Sequence, residues 1–198
     1  MSEQRQHALG QFLRDAVAGE KFSVTVEVNS KLDYINLRGD PTDKKFVRAA
    51  NIVLRHDLPL EPNTTSTGLS TVYWLGPDEW LIVSPAGERP TLPTLLDDAL
   101  DGTHASLNVV TGGQVAMHIS GDNAAALLAK GCTLDLHPKV FLAGQCAQTG
   151  LAKAGILLSK VDNTPAFDVI VRRSFAEYLA LWLQNSGAEY GIQFTDHH

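Results

Sequence analysis

Cysteine is scarce in this chain, with two among 198 residues. Neither Cys132 nor Cys146 belongs to a C-x-x-C pair or has a spaced histidine companion, which excludes a disulfide framework and any locally encoded zinc or thiol-redox motif. Long apolar runs are missing as well. A stretch such as residues 124–129 falls far short of the roughly 20 residues that a membrane-spanning helix needs, and the first residues carry charges instead of a continuous apolar segment. A cytoplasmic protein without membrane contact is expected. Concentrated positive charge is absent too: 16 Lys+Arg stand against 22 Asp+Glu, giving a net charge of −6, and the nearest basic runs are Lys44-Lys45 and Arg172-Arg173. Such a balance repels phosphate backbones, so nucleic acid is not an expected partner. No G-x-G-x-x-G follows a strand, and no G-x-x-x-x-G-K-[ST], H-E-x-x-H, G-x-S-x-G or H-x-E…P-C-x-x-C is present. The common nucleotide, zinc and serine-hydrolase fingerprints are thereby excluded.

What the chain does have is the composition of an ordinary globule, 44% hydrophobic and 19% charged, with 16 Gly and 9 Pro. A chain of this length buries roughly 70% of its unfolded surface, enough for one core or two half-cores. Residues 6–18 place Leu9, Phe12, Leu13 and Val17 at helical spacing. Residues 22–28 and 34–38 alternate and read as strands flanking a turn at Asn29-Ser30-Lys31. Asp40-Pro41 reads as the N-cap and first residue of a helix with Phe46, Ala49, Ala50, Val53 and Leu54 on one face, ending near Arg55. Residues 56–68, rich in Pro, Asn, Thr and Ser, read as a surface loop. A β-hairpin follows over 72–76 and 80–84 around Gly76-Pro77-Asp78-Glu79, and then a helix over 93–100.

The second half repeats this order. Strands are expected at 105–110 and 114–119 around Gly112-Gly113, a helix at 122–130 closed by Gly131, and strands at 146–151, 155–160 and 166–171. Ser174 and Glu177 match an S-x-x-E capping box for a last helix whose Phe175, Tyr178, Leu179, Trp182 and Leu183 share a face, with Gly187 at its end. Ile35-Asn-Leu-Arg-Gly39-Asp40 resembles Met117-His-Ile-Ser-Gly121-Asp122, and Leu81-Ile-Val-Ser-Pro85 resembles Val169-Ile-Val-Arg-Arg173. The expected class is α+β, with two related ββαββα-like halves and mixed, mostly antiparallel sheets. We expect one domain over 1–198, divisible into halves 20–102 and 103–190.

Candidate chemistry is thin. His7, His56, His104, His118, His137, His197 and His198 are scattered and read as structural or solvated side chains. Cys132 follows a helix C-terminus, where the dipole opposes thiolate formation, and reads as an inert buried thiol. Asp78 and Glu79 fit backbone and solubility roles in a hairpin turn. Trp74, Trp80 and Trp182 read as core. Arg172-Arg173 could hold an anion at the last helix N-terminus, but the expected capping box occupies that end. No catalytic, cofactor-binding or metal-binding residue is expected.

Four collinear segments nevertheless match a known pattern: Leu75-Gly-Pro-Asp-Glu-Trp-Leu-Ile-Val83, Lys130-Gly-Cys-Thr-Leu-Asp-Leu-His-Pro138, Gly144-Gln-Cys-Ala-Gln-Thr149 and Arg172-Arg-Ser-Phe-Ala-Glu-Tyr-Leu179 with Trp182. Across residues 31–189 the chain resembles the gamma subunits of heterotetrameric sarcosine oxidases. That resemblance implies a fold similar to the folate-binding domain of aminomethyltransferases, itself built from duplicated halves. It implies alpha, beta and delta subunits as partners, and a complex that oxidatively demethylates sarcosine to glycine while forming 5,10-methylenetetrahydrofolate and hydrogen peroxide. FAD, FMN, NAD, zinc and tetrahydrofolate are implied for the other subunits and none for this chain. Where aminomethyltransferases carry an Asn-Ala-type turn and a catalytic Asp, this chain reads Ser84-Pro85-Ala86-Gly87-Glu88-Arg89-Pro90, so those folate-handling residues do not carry over. The alternatives are an aminomethyltransferase-like folate-binding protein, the equivalent subunit of a related N-methyl amino acid dehydrogenase, and an adaptor that borrowed the fold.

Overall fold

The computed structural model describes residues 9–13, 22–87 and 91–196. Along the chain run β1 (Val24–Asn29), β2 (Leu32–Gly39), α1 (Lys44–Leu54), β3 (Thr65–Thr67), β4 (Thr71–Gly76), β5 (Glu79–Pro85), α2 (Leu92–Leu100), β6 (Ala105–Val109), β7 (Gln114–Ser120), α3 (Ala124–Ala129), β8 (Cys146–Leu151), β9 (Ala154–Lys160), β10 (Ala166–Arg172), α4 (Arg173–Gly187), a 3-10 turn (Ala188–Tyr190) and β11 (Ile192–Asp196). The class is α+β, with the mixed, mostly antiparallel sheets that the alternating and β-branched segments led us to expect. Two compact units form: residues 31–112 with 144–147, and the remainder.

The unit built on residues 31–112 has a five-stranded antiparallel sheet in the order β3-β4-β5-β2-β6. Alternation on β2 and β5 sends Ile35, Leu37, Trp80 and Ile82 to one face, where they meet Phe46, Ala50 and Leu54 of α1 and Leu96 and Leu100 of α2. Trp80 is fully buried, and its one polar atom is satisfied because Nε1 donates to the Pro59 carbonyl at 2.7 Å. Its ring lies 5.7 Å from that of Phe46. The hairpin of β4 and β5 forms as expected, with a register shift between Trp74 and Gly76.

The other unit has a six-stranded sheet, β11-β1-β7-β10-β9-β8, antiparallel except for the parallel pair β1 and β11. Met117 and Ile119 of β7, Val169 and Val171 of β10, and Val26 and Val28 of β1 are buried, as are Leu127 and Leu128 of α3 and Leu179 and Leu183 of α4. Helix α4 packs on β10 and β7, and α3 packs on β10 and α4.

Several local expectations are corrected. β1 and β2 are not partners: both edges of β2 are taken by β5 and β6, so β1 finds its ladder on β7 and β11. β6 and β7 likewise enter different sheets, and Gly112, at φ +90°, lies between them. The N-cap of α1 is Asp43, whose side chain accepts from the Lys45 N–H, while Asp40 accepts from the Thr42 N–H and hydroxyl one turn earlier. The stretch read as a loop over 56–68 contains β3 and the buried Leu58. No capping box closes α4, because β10 runs into it without a loop; Arg172 is the N-cap position, and Glu177 accepts from Gln11 Nε2 at 2.8 Å instead. Gly187 is the helix's own last residue. Most of the helix expected over 6–18 lies outside the described residues; within 9–13 a turn buries Leu9 and sets Phe12 5.7 Å from Phe194.

Candidate functional site

Each of the four segments that matched a known pattern is fixed by hydrogen bonds or packing of its own. In the hairpin, the Arg38 guanidinium donates to both carboxylate oxygens of Asp78 at 3.0 and 3.2 Å, and Asn36 Nδ2 donates to Glu79 Oε1 at 2.8 Å. The Asp78 carbonyl accepts from the Gly39 N–H at 3.1 Å. Both turn acids therefore bind β2 and fix the hairpin against it, which is a positioning role and leaves no acid–base pair aimed at a cavity.

The segment from Lys130 acts at the far end of α4. Lys130 Nζ donates to the Ser186 carbonyl at 2.5 Å and pairs with Glu189, and it lies 4.4 Å from the centre of the Tyr190 ring. A cation on the last carbonyls of a helix opposes the negative end of its dipole. The pairing raises the Lys130 pKa and lowers that of Glu189, the shared hydrogen bond being the main cause in each. Gly131 has no side chain for a steric reason: a Cβ there would stand 2.6 Å from the Trp182 ring. Cys132 is buried and bridges Leu151 through the backbone. Lys130, Gly131 and Trp182, far apart in sequence, form one packing unit.

Gly144, at φ +80°, turns the third segment so that its carbonyl accepts from the Thr65 N–H at 2.8 Å and the Thr65 hydroxyl at 3.2 Å. Cys146 is buried, with Sγ 3.4 Å from the Thr64 carbonyl and 3.7 Å from that of Trp74. Burial pushes its thiol up to about 11, which keeps it protonated and unreactive at neutral pH. In the fourth segment, Ala176, Leu179 and Leu183 face the core, whereas Phe175 and Tyr178 are exposed and Trp182, which we expected in the core, is half-buried.

Among the histidines, His118 acquires the most distinctive surroundings. β7 sits between β1 and β10, and the register puts Glu27 opposite His118 on one side and Asp168 on the other. Nδ1 lies 2.8 Å from Asp168 Oδ1. The Asp168 hydrogen bond raises the His118 pKa against the opposing effect of burial, with Glu27 and Asp162 adding attraction. Sequence reading misses this row because only long-range strand register assembles it. His56 is bracketed by Ser66 Oγ at 3.0 Å and Ser70 Oγ at 3.3 Å, with no carboxylate to orient it. His104 and His137 are exposed; His7, His197 and His198 lie outside the described residues. The Arg173 N–H at the start of α4 is taken by the Gly113 carbonyl. Among the described residues no group of three or more His, Cys, Asp or Glu is placed to hold a metal ion, and no helix is long and apolar enough to cross a membrane.

Two concavities lie in the unit of residues 31–112. A cleft of about 120 Å³ is bordered by Asp33, Arg55, Ser70, Ser84, Pro85 and Leu92, well below the roughly 300–1,000 Å³ of typical small-molecule sites. The other, about 510 Å³ and open, runs along the outer face of α1 between Lys44, Val47, Arg48, Ile52 and Leu60.

The model of the sarcosine oxidase, gamma subunit family matches residues 38–189. The sarcosine oxidase subunit gamma of Corynebacterium sp. (strain U-96) is 30% identical over 178 residues, covering 88% of this chain and 83% of its own, and that of an Arthrobacter species is 31% identical over 121 residues, covering 61% and 58%. A chain of the heterotetrameric sarcosine oxidase from Corynebacterium sp. U-96 superposes with a TM-score of 0.78 at 26% identity, over 84% of this chain and 85% of that one. The glycine cleavage system aminomethyltransferase T from Bartonella henselae shares the fold at a TM-score of 0.65 and 18% identity, over 88% of this chain and 48% of that one. With a family model that matches residues 38–189 and a 30% identical relative aligned along 88% of it, the chain belongs to the sarcosine oxidase gamma subunit family.

Proposed function

We propose that the chain is a non-catalytic structural subunit of a heterotetrameric sarcosine oxidase, assembled with alpha, beta and delta subunits. The observation that carries this reading is the superposition, over 84% of this chain, on a chain of a heterotetrameric sarcosine oxidase. Two features of the residues support it. Asp78, Glu79, Lys130 and Cys146 of the family segments are engaged in fixing hairpin, helix end and strand edge, and the cleft beside Asp33 and Arg55, at about 120 Å³, is too small for a substrate-sized molecule. In this reading the demethylation of sarcosine to glycine, the transfer of its one-carbon unit to tetrahydrofolate and the reduction of oxygen belong to the partners, which hold FAD, FMN, NAD and zinc. What this chain contributes is surface and rigidity. The test is to purify the complex from cells expressing the partners with and without this chain. Loss of assembly or of sarcosine turnover without it is expected; equal assembly and turnover would overturn the reading.

The fold shared with an aminomethyltransferase favours a second reading, a folate-binding module. Calorimetric titration of the chain with tetrahydrofolate separates the two: micromolar binding supports the module, and absence of heat supports the structural subunit.

A further inference from the structure

We infer that the outer face of α1 is the docking groove for a short acidic and apolar segment of a partner subunit. This deepens the proposed role as a subunit and rests on it. Charge on α1 is placed where it does not help the fold. Lys44, Lys45 and Arg48 lie in the first half of α1 and no acid lies in its first turn. Cations at a helix N-terminus oppose the dipole, each by about 0.3–1 kcal/mol, and the chain as a whole has a net charge of −6. Lys45 has a local use, since its Nζ reaches the Gly102 carbonyl at 3.4 Å. Lys44 and Arg48 are exposed and, among the described residues, have no ion-pair partner. The charged residues lining the groove are Lys44 and Arg48, the adjoining Asp43 carboxylate being taken by the Lys45 N–H, and the group that the two cations complement is a carboxylate.

The apolar half of the groove adds the second requirement. Ile52 is 66% exposed and Leu60 50% exposed, and with Val47 they line the same groove as Lys44 and Arg48. Residues 44, 48 and 52 recur at i+4 on one stripe of the helix, cations toward its start and Ile52 toward its end. The loop that carries Leu60 is held in place: Asn51 Nδ2 donates to Asp57 Oδ1 at 2.9 Å, and Asn51 Oδ1 accepts from the Leu58 N–H at 2.8 Å. Asp57 is thereby engaged, and Glu61 follows Leu60 at the apolar end, away from the two cations in sequence. From Lys44 to Ile52 the stripe is about 12 Å long at 1.5 Å per residue. An extended strand of about four residues, at 3.3 Å each, spans it. The occupant is therefore a segment with Asp or Glu at one end and an aliphatic or aromatic side chain about three residues away.

The test uses the complex formed with the partner subunits and three variants of this chain: K44E/R48E, I52D and, as a control on an exposed cation of the other unit, K139E. Circular dichroism and melting temperature verify that each variant folds. Affinity for the partner subunits is then measured at low and at physiological salt. K44E/R48E is expected to weaken binding at least tenfold at low salt and to flatten its salt dependence, I52D to weaken it about tenfold at both salts, and K139E to change neither. Wild-type assembly with all variants binding within twofold of it would overturn the groove and leave the subunit reading intact. Failure of the wild-type chain to assemble overturns both. Light scattering covers the remaining occupant: a dimer of the free chain that I52D dissociates would assign the groove to a second copy and overturn the proposal.

Discussion

Two strand-to-helix junctions in this chain read almost alike and work differently. At the first, β2 ends in Gly39-Asp40 before α1; at the second, β7 ends in Gly121-Asp122 before α3. Each glycine N–H is bound by a turn carbonyl of its own sheet, Gly39 by Asp78 at 3.1 Å and Gly121 by Pro165 at 3.2 Å. The reason for glycine nevertheless differs. A Cβ on Gly39 would stand 2.4 Å from the Phe46 ring, whereas a Cβ on Gly121 would stand 2.3 Å from the Ser23 backbone carbonyl, at φ +116°. One glycine makes room for a side chain and the other for a main chain. The helices that follow also differ: Asp43 caps α1 through its side chain, and Asn123 makes no such bond for α3. A shared Gly-Asp thus marks an equivalent place in two sheets, not a shared local chemistry.

The two junctions are expected to differ most at their glycines. Gly121→Ala meets a backbone that cannot yield and a positive φ together, so we expect a loss of about 3 kcal/mol or more in denaturant unfolding. Gly39→Ala overpacks a buried ring, and about 1–3 kcal/mol is expected. Adding Phe46→Leu should recover part of the loss at Gly39, while no single side-chain truncation should rescue Gly121→Ala. Equal rescue at both sites would show that the junctions are the same after all.

At the caps the contrast is smaller. Asp43→Ala should destabilise by about 1 kcal/mol and Asn123→Ala by no more than a few tenths. Chemical denaturation of the two variants side by side decides it, and an equal loss would erase the distinction.

A pH response is expected of the six-stranded sheet. His118 has its pKa raised above the ordinary 6.5, chiefly by its hydrogen bond to Asp168. The stability this pair contributes is fully present below the unfolded value of 6.5 and is lost as pH rises through the raised folded value. The melting-temperature gap between wild type and Asp168→Asn should accordingly be widest below pH 6.5 and close in alkaline buffer. A gap that stays constant across this range would remove His118 from the account.

Smallest of all is the expected reactivity of Cys146. With its thiol pushed up to about 11 by burial, it should resist alkylation at pH 8 in the native chain and react on unfolding.

The parts of this fold that were readable from sequence are those whose information is local. The hairpin of β4 and β5 announces itself through Gly76-Pro77-Asp78-Glu79 between aromatic and β-branched runs, and α1 through an apolar stripe ended by Arg55 in a left-handed turn. What escaped depends on distant partners. β1 looks like the hairpin mate of β2 until the other edges of β2 are counted, and β11 alternates Ile192 and Phe194 with polar residues but has meaning only beside β1. Ser174 and Glu177 have the right spacing for a capping box, yet the direct passage from β10 into α4 removes the geometry that such a box needs. At the candidate site, the reading of Asp78 and Glu79 as structural agrees with their partners, and Cys132 is buried as expected. The Glu27–His118–Asp168 row and the Lys130–Gly131–Trp182 packing unit depend on residues that only the fold brings together.

The central claim is that these segments build a supporting subunit instead of an active site. Co-expression of the tagged chain with the alpha, beta and delta subunits, followed by native mass spectrometry of the purified material, tests it most directly. The expected result is one flavin-bearing assembly containing one copy of this chain for each of the other subunits. A tagged chain recovered alone, with the other subunits assembled and turning over sarcosine without it, would contradict the account.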